Sequence, residues 1–223
     1  MGYRLERYRF LLAQGNAAVF TYDYPGYGRS CGAPSQDSVL AAATAATDFF
    51  AGWVSNDTSG SSGRFGSAAL PLPVPPATSS AAVAALVQLG RSLGGSVATA
   101  NGRRRGWVAN RLILQSGFSD PADLARYYFP MFGGVLVPSA RSQFGEFDSV
   151  ANLDAGFRGC FYHSHSRADR WVPLWMAERL EAAVAARAAA ACSVWVVDPS
   201  AQHTQPLTLA ERAALAAWIA ANR

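Results

Sequence analysis

Residues 86–100 read LVQLGRSLGGSVATA: an apolar run, a Gly-Arg-Ser-Leu-Gly-Gly break, then a stretch of small residues. The apolar run predicts a strand at about 84–89 and the small residues a helix at about 92–102, so Ser92 sits where one hands over to the other. A serine among glycines makes a tight turn. The same residues also fit G-x-S-x-G, as Gly90-Arg91-Ser92-Leu93-Gly94, which holds a nucleophile on a sharp strand-to-helix turn. On such a turn the neighbours must lack bulk if the hydroxyl is to project. The Leu93 N–H, at the helix N-terminus, then points toward any oxyanion formed beside Ser92. The pentapeptide alone occurs by chance, so the decision rests on the rest of the chain.

Outward from this turn, short apolar runs alternate with helical patterns. On the N-terminal side, residues 3–14 place Leu5, Tyr8 and Leu12 on one helical face, AAVFTY (17–22) has a buried-strand pattern, and an Ala-rich helix follows from Ser35 to about Ala51. Residues 55–80 lose all apolar periodicity and read as a flexible surface insertion. On the C-terminal side, strands are predicted at 111–115 (RLILQ), 157–163 (FRGCFYH) and 193–198 (SVWVVD). Asp120-Pro121 caps a helix that opens an irregular aromatic segment, Pro173 starts another helix, and Thr208-x-x-Glu211 announces the last as a capping box. Strands alternating with helices predict an α/β fold around a mostly parallel sheet, because parallel neighbours need a crossover.

A chain of 223 residues, half of them hydrophobic, buries a core of its own and is expected to form a single domain, 1–223. No apolar run reaches the roughly 20 residues of a membrane span, so a soluble protein is expected. The N-terminus, MGYRLERYRF, is too charged for a signal-peptide core. All 19 basic residues are arginine in an Ala-rich chain of net charge +4. That bias is compositional and the arginines are scattered, so no nucleic-acid partner is expected, and Arg103-Arg104-Arg105 reads as a solvated turn after a helix. Cys31, Cys160 and Cys192 are odd in number and widely spaced, which argues against a disulfide framework or a metal site and leans toward a reducing, cytoplasmic compartment.

A serine hydroxyl needs a base within hydrogen-bond reach, and the chain has three histidines. His203 lies in the loop after the last strand, where the carboxyl ends of a parallel sheet carry functional loops. It is the candidate base, whereas His163, closing a strand, and His165, in the loop beyond, read as structural. The acid belongs on a strand-end loop between serine and histidine if the order is Ser, Asp, His. Asp169 stands there, although a surface ion pair with Arg167 or Arg170 would equally explain it. Asp198 is its competitor.

Together these segments resemble the α/β-hydrolase superfamily, in particular its serine-aminopeptidase-like and α/β-hydrolase-domain-containing branch. FTYDYPGYGRSCGAPS (20–35) is similar to the family's Asp-Tyr-x-Gly-Tyr-Gly-x-Ser turn after strand four, and GRSLGGSVA (90–98) to its nucleophile elbow. FDSVANL (147–153) is similar to the segment leading out of a short cap, HSHSRADRWVP (163–173) to the end of strand seven, and AQHTQPL (201–207) stands where the family has Gly-His-Asn-Asp. The resemblance implies a three-layer α/β-hydrolase fold with Ser92 as nucleophile, His203 as general base and acid, Asp169 as the orienting carboxylate and Leu93 N–H in the oxyanion hole. It implies a serine hydrolase acting on an ester, thioester or amide of a small-molecule or acylated substrate, with no metal or organic cofactor. Residues 119–150 would form a short cap whose aromatics, between Tyr127 and Val137, pack within it.

The chain departs from the family at its start. There the family has two edge strands and a strand three whose His-Gly loop gives the second oxyanion donor; here only residues 1–16 precede the segment resembling strand four. The resemblance therefore implies an N-terminally truncated sheet, and an alternative function as a catalytically impaired fragment or binding module. It leaves membrane attachment open.

Overall fold

The computed structural model describes residues 2–14, 18–57, 86–185 and 192–222. These form two compact units, one of Met1–Thr21 with Val87–Arg223 and one of Tyr22–Leu86. In chain order the larger unit holds α1 (Gly2–Ala13), β1 (Val87–Arg91), β2 (Arg111–Gln115), β3 (Cys160–Ser166) and β4 (Val194–Asp198) with intervening helices, and the smaller holds α2 (Gln36–Asp57). The helix α2 runs beyond its expected end near Ala51; the remainder of the expected insertion lies outside the described residues.

The four strands pair in the order β1-β2-β3-β4, all parallel. Parallel neighbours need crossovers, and the chain supplies α3 (Leu93–Arg104) after β1. After β2 come α4 (Pro121–Tyr128), a 3-10 turn Pro130–Phe132, α5 (Gly133–Phe144) and α6 (Ser149–Asp154), and after β3 comes α7 (Leu174–Ala185). The last helix, α8 (Leu209–Ala221), follows β4. It begins with the capping box predicted at Thr208 and Glu211, and α4 begins with the Asp120 carboxylate accepting from the Ala122 N–H, ahead of Pro121.

Alternation along the strands sends side chains to two cores, giving three layers. Leu112, Leu114 and Phe161 pack with Ala98 of α3, Leu153 of α6, and Leu180 and Val184 of α7. Ile113 and Tyr162 face the other way, against Leu215 and Trp218 of α8 with Phe10 and Leu11 of α1. Leu112 and Leu114 are fully buried, each worth about 1.5–3 kcal/mol of transfer free energy.

Three expectations are corrected. Of the strand expected at 17–22, the described residues 18–22 have no regular structure; a strand exists only through the ladder it joins, and among the described residues the sheet holds β1 to β4 alone. The strand expected at 157–163 is shifted to Cys160–Ser166, because α6 is followed by a turn through Gly156, at φ +119°. His165 therefore lies within the strand and not in the loop after it. Finally, Cys160 and Cys192 are disulfide-bonded, with Cα atoms 5.0 Å apart across 32 residues of sequence. Spacing along the chain hid this pair. The β3–β4 register, Tyr162 opposite Val194, sets positions 160 and 192 side by side. Closing a loop of that length restricts the unfolded chain by about 3 to 4 kcal/mol. Dithiothreitol is expected to lower the urea midpoint accordingly; an unchanged midpoint would show that the bond adds no stability.

Candidate active site

At their carboxyl ends β1 and β2 finish level, where Arg91 pairs with Gln115 and Gln115 with Ser164, and β3 and β4 run two residues further, to Ser166 paired with Asp198. The ladder continues one residue further: Ser92 N–H donates to the Gln115 carbonyl at 2.9 Å, Ser116 N–H to Ser164 at 2.9 Å, and Arg167 N–H to Asp198 at 2.9 Å. The loops that leave the sheet are thus held at their first residue.

At the first of them, Ser92 has φ +51° and ψ −122°, a backbone conformation that side chains with a Cβ rarely adopt. The glycines make it attainable. A Cβ on Gly90 would run into the Gly94 carbonyl, so only glycine lets β1 and the first turn of α3 approach so closely. Leu93 opens α3, and the first N–H groups of a helix have no acceptor within it.

In the loop after β3, Asp169 is buried, and its Oδ1 accepts from the Trp171 and Val172 N–H groups, both at 2.9 Å. Its Oδ2 lies 2.7 Å from His203 Nδ1. Burial works to raise the Asp169 pKa. The hydrogen bonds from His203 and from the Val172 and Trp171 N–H groups outweigh it and hold the carboxyl below its ordinary value. An ionised carboxylate only accepts, so Nδ1 of His203 carries a proton, and in the neutral imidazole Nε2 is then an acceptor. Ser92 Oγ, 3.0 Å from Nε2, donates to it. The three candidates from three different loops are thus brought into one hydrogen-bonded line.

Asp198 is held elsewhere. Its Oδ1 accepts from Ser200 N–H at 2.8 Å and Ala201 N–H at 2.7 Å, which shapes the turn leading to His203. His163 and His165 are both fully enclosed in β3. His163 Nδ1 lies 2.9 Å from Glu181 Oε1 of α7, and His165 Nε2 donates to the Val172 carbonyl at 2.8 Å. His165 thereby fastens the loop that carries Asp169.

Two aromatic residues at the site carry no motif that would single them out. Trp171 lies nearly parallel to the His203 ring, with centroids 6.2 Å apart. Tyr128, at the end of α4, donates its hydroxyl to the Trp171 carbonyl at 2.7 Å. The expectation that the aromatics between Tyr127 and Val137 are packed is corrected: Phe129 is 54% exposed and Phe132 63%. Nor is Arg104 merely solvated. Its Nε and Nη2 grip the Glu146 carboxylate at 2.7 and 2.6 Å, tying α3 to the segment before α6.

No family model matches the sequence. The alpha/beta hydrolase domain-containing protein WAV2 of Arabidopsis thaliana is 30% identical over 138 residues, 62% of this chain and 34% of that protein, so the chain spans about a third of the length of the curated relative it matches. Among solved structures, an esterase of Pyrococcus furiosus superposes with a TM-score of 0.57 at 15% identity, covering 99% of this chain and 74% of that one. An acetyl ester-xyloside bifunctional hydrolase of Caldicellulosiruptor lactoaceticus gives 0.56 at 14% identity, covering 97% and 75%.

Proposed function

Because the chain has the α/β-hydrolase fold, we propose that it is a serine hydrolase, cleaving an ester, thioester or amide of a small-molecule or acylated substrate through an acyl-serine intermediate. One observation carries the reading: a single imidazole, His203, reaches Ser92 Oγ at 3.0 Å and Asp169 Oδ2 at 2.7 Å.

The steps follow from that line of hydrogen bonds. Ser92 Oγ attacks the substrate carbonyl carbon while its proton passes to His203 Nε2, and the carbonyl π pair moves onto oxygen. The Leu93 N–H at the start of α3 faces the negative charge that develops there. The imidazolium is stabilised by the buried Asp169 carboxylate, which also keeps the ring oriented. The oxyanion collapses, the bond to the leaving group breaks, and Nε2 returns the proton to that group. Water then repeats the cycle: it loses a proton to Nε2, forms the new C–O bond, and releases the acid as Ser92 Oγ recovers its proton.

The test is labelling of the purified chain with a fluorophosphonate, followed by peptide mapping. The expected result is one adduct, on Ser92. Absence of labelling in a folded chain would overturn the catalytic reading and favour an impaired fragment or binding module of the same fold.

A further inference from the structure

Next to Trp171, the end of α4, the following 3-10 turn and the first turn of α5 expose Tyr127, Tyr128, Phe129, Met131, Phe132 and Val135, with Met131 92% and Val135 74% exposed. Packing does not account for them. The buried residues of α4 are Ala122 and Asp123, that of α5 is Val137, and the 3-10 turn has none. An exposed apolar patch of this extent marks an interaction surface.

Charge and backbone indicate what covers it. From Leu124 to Gly145 the sequence contains no acidic residue; Arg126, 3.4 Å from the buried Asp123 carboxylate, and Arg141 are both exposed. Arg170 stands at the edge of the patch, its carbonyl accepting from the Tyr127 hydroxyl at 3.4 Å. The chain here is helical or 3-10, with Phe129 N–H donating to Ala125 and Phe132 N–H to Phe129, both at 3.0 Å, so the segment satisfies its own backbone as it enters apolar surroundings. A second copy seated face to face would bring the same arginines together with no acid from this stretch to pair them. An apolar and aromatic centre flanked by arginines matches the interface of an anionic bilayer instead, where aromatic rings sit at headgroup depth and arginines meet lipid phosphates.

We propose that residues 127–135, flanked by Arg126 and Arg170, form a docking surface for an anionic lipid bilayer. The protein lies on the membrane through this face; among the described residues no helix is long and apolar enough to cross it. Docking brings Trp171 and the adjoining His203 close to the lipid. It does not depend on the acyl-transfer reading, because it involves neither Ser92 nor its protons.

The experiment is co-sedimentation of the purified chain with phosphatidylcholine vesicles, with and without about one-fifth phosphatidylserine. The expected result is binding to the anionic vesicles that weakens with added salt and falls at least about tenfold in the double variant Met131→Asp, Val135→Asp. Both side chains are exposed, so the urea midpoint of the variant should match that of the parent. Absence of binding, or binding the variant leaves intact, would overturn the proposal. So would a dimer in size-exclusion chromatography that the variant dissolves, since the face would then belong to a second copy.

Discussion

Asp169→Asn is expected to lower kcat/KM on a small activated ester by about 10⁴-fold while leaving the fold intact. The reason lies in how the two carboxylate oxygens divide their work. Oδ1 accepts from the Trp171 and Val172 N–H groups and Oδ2 from His203 Nδ1. An asparagine keeps the two backbone donors on its carbonyl oxygen, which turns its NH₂ toward His203. That NH₂ donates, so Nδ1 must give up its proton and Nε2 must carry one. An Nε2–H cannot accept from Ser92 Oγ, and the nucleophile loses its base. Circular dichroism and the urea midpoint would check that the variant folds. A loss smaller than about tenfold would confine Asp169 to fastening its loop and would remove it from the proposed triad.

Acid is expected to destabilise the protein through groups that have no part in that chemistry. Burial pushes the pKa of His163 down from 6.5 to about 3 and that of His165 down to about 4. For His165 the hydrogen bond to Val172 works against burial without overcoming it. In both cases the unfolded chain binds a proton that the folded chain refuses. Their contribution to stability is therefore complete above about pH 6.5 and is lost as pH falls toward 4 and then 3. Glu181 acts in the opposite sense, since burial raises its pKa from 4.5 to about 7 and the folded state holds the extra proton over that window. His163 and Glu181 are 2.9 Å apart, and the two directions favour an uncharged hydrogen-bonded pair over an ion pair below about pH 7. Two histidines against one carboxyl leave a net loss of about 2 kcal/mol between about pH 7 and 5, read as a falling urea midpoint. Replacing the pair together, His163→Phe with Glu181→Leu, removes one loss and the opposing gain, so the slope should persist nearly unchanged, carried by His165. A midpoint that holds or rises on acidification would show that one or both imidazoles take up their proton without unfolding.

Much of the site was legible because its pieces are local. The G-x-S-x-G turn, the strand before it and the helix after it are neighbours along the chain, so bulk, periodicity and the start of α3 at Leu93 could be read directly. The capping box at Thr208 and the cap at Asp120 are equally local, since each joins residues within one helical turn. The same approach failed at residues 18–22, where a good strand pattern is only half of a strand and the other half is a neighbour to pair with. It misjudged the aromatics between Tyr127 and Val137 as well, because an apolar side chain on a helix reads as core whether or not anything covers it.

By itself, then, the sequence determined the α/β alternation, the elbow, and the short set of residues from which a base and an acid could come. The tertiary structure alone decided which of them meet. That His203 reaches Ser92 and Asp169 while Asp198 shapes its own turn, that Cys160 lies beside Cys192, and that Tyr128 holds the Trp171 carbonyl all depend on which strands are neighbours and in what register. Those are relations between segments far apart in the chain, set by how both faces of one sheet are buried, and no local spacing encodes them.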